Sequence, residues 1–220
     1  MILDDAAVIN PAQQTGALST TGGDLTINSN SAQNSYLYFD AVQNRVDRLT
    51  INLSGSGNLT VRAPMAIAEG IKISNGTLVA EKIITLLASA ERSAVIYEIE
   101  NTGKITGEVT VQKYLAPAGR IYRYLSSPVT PVTVAEWQQS FPITGNFTGS
   151  STGEGLDNSS SLFAYRENNG GWIAHPPGAG SNAAAIQKGV GYAALLRNAT
   201  NPITLSSTGN PFQGTVTFAL

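Results

Sequence analysis

A chain of 220 residues with 42% hydrophobic content is long enough to bury a sizeable core, as one long β domain or as two smaller ones. Charged residues make up 13%, against about a quarter in an ordinary soluble domain, and the formal net charge of -2 comes without any basic cluster, which argues against nucleic acid and anionic lipid as partners. Cysteine is absent, so disulfides, thiolate nucleophiles and thiolate metal sites are excluded, and no apolar run approaches the roughly 18 residues of a membrane-spanning helix.

The start, MILDDAAVIN, carries acids where a secretory signal would be basic. Residues 1–22 read as one short strand at 6–9 and a Ser/Thr/Gly loop. GDLTIN (23–28) and SYLYFD (35–40) alternate apolar and polar positions across a stretch of turn composition, which predicts a two-stranded start to a sheet.

Residues 48–115 hold the strongest pattern. RLTINL, GNLTVR, EGIKIS, GTLVAE, KIITLL, AVIYEI and GEVTVQKYL are runs too short for helices, rich in Ile, Val, Leu and Thr, and most are separated by Gly, Asn or Ser. Leu49 with Ile51, Leu59 with Val61, Ile71 with Ile73, then Leu78 and residues 83–86 recur every 7 to 12 residues or so. That spacing predicts a β-solenoid with two short strands per coil of about 20 residues. A meander of hairpins is the competing arrangement, and Asn75-Gly76 is its turn signal. The repeated glycine ahead of the strands favours the solenoid.

From residue 91 to 124 the strands lengthen and alternate charged with apolar residues, as strands with one wet face do. A boundary at LAPAG divides the chain into a stacked-strand region, 1–115, and an antiparallel β-sandwich or jelly roll, 116–220. VTVAEWQQSF (132–141) is the one predicted helix, with Thr133 as its cap and Val134, Trp137, Gln138 and Phe141 on one face. A Gly/Ser-rich loop at 145–161 follows, and then SLFAYREN, GGWIAHPP, GVGYAALL, NPITLS and GTVTFAL read as five strands. The fold class is all-β throughout.

Candidate chemistry is sparse. Exposed aromatic rings stack on the C–H faces of sugars, which makes Trp172, Trp137 and Tyr165 the candidate ligand-binding residues; His175, close to Trp172 in sequence, joins them. Tyr192, in an apolar strand, reads as core. His175 is the single histidine, so a general base would need an orienting acid, and Glu167 and Asp157 are the nearest in sequence. No calcium-loop motif occurs; Glu154 and Asp157 in GSSTGEGLDNSS are the candidate Ca2+ pair, and no other cofactor is expected. Glu98 and Glu100 share a strand face, and residues 49–87 hold only Arg62, Lys72, Lys82, Glu69 and Glu81, too dispersed for a polysaccharide-cleaving groove. No catalytic residue is assigned. The sequons at Asn52, Asn58, Asn146, Asn158 and Asn198 follow from an Asn/Ser/Thr-rich composition.

The run GEVTVQKYLAPAGRIYRYLSSPV, followed by KGVGYAALL and PITLSSTGNPFQGTVTFAL, resembles a junction in large secreted surface proteins of Bacteroidetes exported by the type IX route. This resemblance covers the second half of the chain, and the LTI/LTV coils are similar to a solenoid-like region that precedes such junctions. It implies an extracellular or outer-cell-surface setting, and a parent protein that continues beyond this module towards a sorting domain. The function expected is structural and adhesive, without catalysis. Partners would be other cell-surface subunits or further copies, a fibre forming if residues 4–9 add as a strand to a neighbour's open edge. The alternative is a carbohydrate-binding module attached to a polysaccharide-degrading enzyme.

Overall fold

The computed structural model of the chain describes residues 1–3, 17–30, 32, 34–54, 57–197 and 200–213. They form two compact units, Met1–Lys113 with Gly209–Gln213, and Tyr114–Thr208. The chain is all-β: a β-solenoid of about four turns, and after it an antiparallel sheet. The strand-addition segment at 4–9 and the last expected strand, 214–220, lie outside the described residues.

The coils are three-sided. The first holds β1 (Ile2–Leu3), β2 (Leu18–Thr21), β3 (Leu25–Ser29) and β4 (Ser35–Leu37). The second holds β5 (Phe39–Leu53) and β6 (Asn58–Val61), and the third β7 (Met65–Asn75) and β8 (Thr77–Val79). The fourth holds β9 (Ile84–Leu86), β10 (Val95–Ile96) and β11 (Lys104–Thr106), after which β12 (Val109–Leu115) opens the next. Every ladder between them is parallel. One side stacks β2, the start of β5, the start of β7, β9 and β12. The second stacks β1, β3, the ends of β5 and β7, and β10. The third stacks β4, β6, β8 and β11.

Each coil has three sides where two were expected, and in the second and third coils β5 and β7 each supply two of them by running unbroken around a corner, marked by a register shift between Val46 and Arg48. GDLTIN and SYLYFD are likewise successive sides of one coil rather than a pair: β3 bonds to β5 and β4 to β6. Asn75-Gly76 is a corner between sides, with Gly76 at φ 85. A Cβ on Gly76 would come within 2.6 Å of the Leu53 Cβ in the neighbouring coil, so both conformation and space demand glycine there.

Register places like beside like. Leu25, Leu49 and Ile71 form one interior stack, and Ile27, Ile51 and Ile73 the next, all fully buried. Each such side chain contributes roughly 1.5–3 kcal/mol. Outside, polar residues form columns along the coil axis. Arg48 bridges Asp24 and Glu69 and lies 5.8 Å from the Tyr97 ring centre. Arg62 pairs with Glu81 at 3.0 Å and covers Tyr36. Asn75 donates to the Asn52 side chain at 2.8 Å and accepts from the Thr102 hydroxyl at 3.3 Å. The last coil's β11 is bracketed by one side chain: Ile105 N donates to Gln213 Oε1 at 2.7 Å, and Gln213 Nε2 donates to Ile105 O at 2.8 Å. That occupies backbone groups an open strand edge would leave free.

The second unit contains β13 (Ile121–Leu125), β14 (Val129–Thr130), α1 (Val134–Trp137), β15 (Leu162–Arg166), β16 (Gly171–Ala174), β17 (Tyr192–Leu196) and the first part of β18 (Ile203–Pro211). Its antiparallel sheet runs β13-β17-β15-β16. Alternation along each strand sorts the side chains. Leu125, Tyr192, Ala194, Leu196, Leu162 and Ala164 are buried on the inner face. α1 covers that face. The Thr133 hydroxyl accepts from Glu136 N at 3.3 Å as the helix cap, and the Trp137 ring meets Tyr192 edge-on at 5.7 Å.

Candidate aromatic binding face

The opposite face of the same sheet is aromatic and exposed. In β13 the alternation that buries Leu125 sends Tyr122 and Tyr124 outward; in β15 it sends Phe163 and Tyr165 out, and in β16 Trp172. Between them β17 contributes Ala193, opposite both Tyr124 and Phe163. The small Ala193 leaves room above the middle of the sheet. Tyr124 and Trp172 come from the two outermost strands and lean across this room, their ring centres 5.6 Å apart and their planes within 15° of parallel. Tyr165 meets Trp172 edge-on at 5.3 Å, and Tyr122 meets Phe163 edge-on at 6.2 Å. Tyr122, Tyr124, Phe163, Trp172 and Ala193 line a pocket of about 300 Å³.

Tyr124 is 77% exposed and Trp172 44%, an unusual exposure for rings of this size. The Tyr122, Tyr124 and Tyr165 hydroxyls and the Trp172 indole N–H have no hydrogen-bond partner among the described residues, and the lining carries no charge.

Two of the residues expected to bind ligand, Trp172 and Tyr165, are therefore brought together. Trp137 is not: it is fully buried beneath the inner face, and its Nε1 donates to Ser207 Oγ at 3.1 Å. The helix that carries Trp137 needs that ring as its core contact, and so it cannot face a ligand. His175 turns to the inner-face Tyr192, ring centres 5.2 Å apart, with Nε2 3.1 Å from the Ala185 carbonyl. Burial, more than any neighbouring charge, holds its pKa below the ordinary histidine value.

Glu154 is exposed, and Asp157 is engaged elsewhere. Its Oδ1 accepts the Ser159 N–H at 3.0 Å and lies 3.6 Å from Arg197, and chiefly the Ser159 bond pulls its pKa down. No group of three or more His, Asp or Glu side chains placed to share a metal occurs among the described residues. In the coils, Glu69, Glu81 and Glu100 are each paired with a cation, Glu100 with Lys72 at 3.4 Å and with the Ser74 hydroxyl, which lowers its pKa most.

Tyr122 and Tyr124 were not expected in a site. Their signal lies in R-I-Y-R-Y, where alternate tyrosines in a strand must share a face. No protein-family model, curated protein or solved structure matches the chain.

Proposed function

We propose that the chain is a non-catalytic adhesive module of an exported bacterial cell-surface protein, in which the coil stack is a spacer and the outer face of the antiparallel sheet makes the contact. The exposed Tyr124–Trp172 pair carries this reading, because a sheet face dressed with five aromatic rings is the composition of a contact surface. The coils suit a spacer: their polar columns tie one turn to the next, and their interior is filled with stacked aliphatic side chains. The pairing of the coil carboxylates with cations on solvent-facing columns favours a structural role for them over acid–base work. The type IX surface setting rests on the sequence resemblance and on the low-charge, hydroxyl-rich composition.

Retention of protein-coated beads on cell-wall polysaccharide and on bacterial cells, under flow, tests the reading. The wild-type chain is expected to hold the beads and the Tyr124→Ala/Trp172→Ala double variant to release them. A folded double variant that holds as well as wild type would remove the adhesive role of this face.

A further inference from the structure

We infer that the pocket above Ala193 receives a sugar ring of a neutral polysaccharide, its C–H face against the side that the stacked Trp172–Tyr124 pair leaves open; this inference rests on the adhesive reading of the same sheet face. Three observations select that ligand. The five lining residues carry no charge, so an anionic polymer would give up its hydration there with no cation to replace it. The exposed rings end in three hydroxyls and one indole N–H without protein partners among the described residues. A wholly apolar partner would strip water from these four groups and return no hydrogen bond, whereas a polyhydroxylated ring returns several. Finally, a space of about 300 Å³ stands at the lower limit of small-ligand sites, sized for one or two sugar rings.

The floor is as informative as the walls. Ala193 faces the pocket with Tyr124 on one side and Phe163 on the other, so its methyl sets the pocket's depth. A leucine there would add three carbons to the floor and take up part of the space without deleting any ring. Ala193 is the specificity-determining position on this account, and Tyr124 and Trp172 are the stacking residues. Because the two rings stack on each other, a pyranose meets an outer ring face of the pair, and a flat, equatorially substituted ring covers such a face better than a strongly bent one.

The chain reports on this site by itself, since it has two tryptophans, Trp137 buried in the core and Trp172 at the pocket. The full chain would be titrated with β-1,4-glucan, xylan, β-1,3-glucan and mannan hexasaccharides. Oligogalacturonate and a proline-rich peptide would be titrated in parallel, with tryptophan emission and calorimetry as readouts. A saturable response to at least one neutral hexasaccharide, insensitive to salt, is expected. By calorimetry, Ala193→Leu should weaken it by about tenfold or more. Should Ala193→Leu fail to fold, Tyr124→Ala, at a 77% exposed position, carries the same comparison. Binding of none of the neutral sugars, binding of only the oligogalacturonate or the peptide, or unchanged affinity in the folded pocket variants would each overturn the inference. Adding the hexasaccharides to the bead assay separates the two claims. Retention that depends on Tyr124 and Trp172 but survives the sugars overturns the sugar and leaves the adhesive face standing. Retention independent of both residues removes the adhesive face itself.

Discussion

Two tryptophan–tyrosine pairs occupy the two faces of one four-stranded sheet. Inside, Trp137 meets Tyr192 edge-on at 5.7 Å; outside, Trp172 lies almost parallel to Tyr124 at 5.6 Å. The ring spacings are nearly equal, and the polar ends differ. The Trp137 indole N–H donates to Ser207, and the Tyr192 hydroxyl accepts the Gln187 N–H at 2.8 Å. The outer pair has no such partners among the described residues. A buried polar group without a partner would cost folding free energy, so the inner pair comes with its bonds built in, while the outer pair keeps its bonding capacity for something else.

The comparison is broken most directly by truncation. Trp137→Ala should cost about 3–5 kcal/mol, as for other large buried side chains, and should unfold the second unit at moderate denaturant. Trp172→Ala removes only ring contacts at the surface and should cost about 1 kcal/mol. Denaturant unfolding of the two variants tests this, and equal losses would mean that the outer rings are part of the core. Ser207→Ala is the next effect in size. It strands the Trp137 indole N–H in an apolar environment and should cost about 1–3 kcal/mol by the same measurement.

Which tryptophan is buried was half legible in the sequence. The 3.6-residue spacing of Val134, Trp137 and Phe141 marks a helix face, and the helix forms there with Thr133 as its cap. One indole cannot serve both the helix core face and a sugar contact, and packing commits Trp137 to the core. For Trp172 no period helps, because Gly-Gly-Trp fits a loop as well as a strand. What places it beside Tyr124 is the order of four strands drawn from distant parts of the chain. The solenoid shows the same limit. Two of its sides were visible because Leu49 with Ile51 and Leu59 with Val61 alternate cleanly. The third was hidden because β5 passes through FDAVQNRV, where only Phe39 and Val46 are buried.

His175 sharpens the comparison through pH. It is the only histidine, it lies against the inner-face Tyr192, and burial depresses its pKa in the folded state. The unfolded chain therefore binds a proton more readily than the folded one. The stability contributed by keeping this ring neutral is fully present above the unfolded value, about pH 6.5, and is lost as pH falls below it towards the lower folded value. As pH falls below about 6.5 the wild-type chain should lose stability, and His175→Asn should flatten that slope. An unchanged slope in the variant would place the titrating group elsewhere.

Removing a single oxygen on each face should give the smallest effect and the cleanest contrast. Tyr124→Phe deletes a hydroxyl that has no partner among the described residues, at a 77% exposed position, so stability should stay within about 0.5 kcal/mol of wild type. Tyr192→Phe deletes the acceptor of the Gln187 N–H and should cost measurably more, since that N–H then loses its bond. Equal stability losses from the two phenylalanines would show that the outer hydroxyl is already bonded within the protein. The Tyr124 hydroxyl would then be part of the fold, and the outer pair would have lost the unspent bonding capacity that distinguishes it from the inner one.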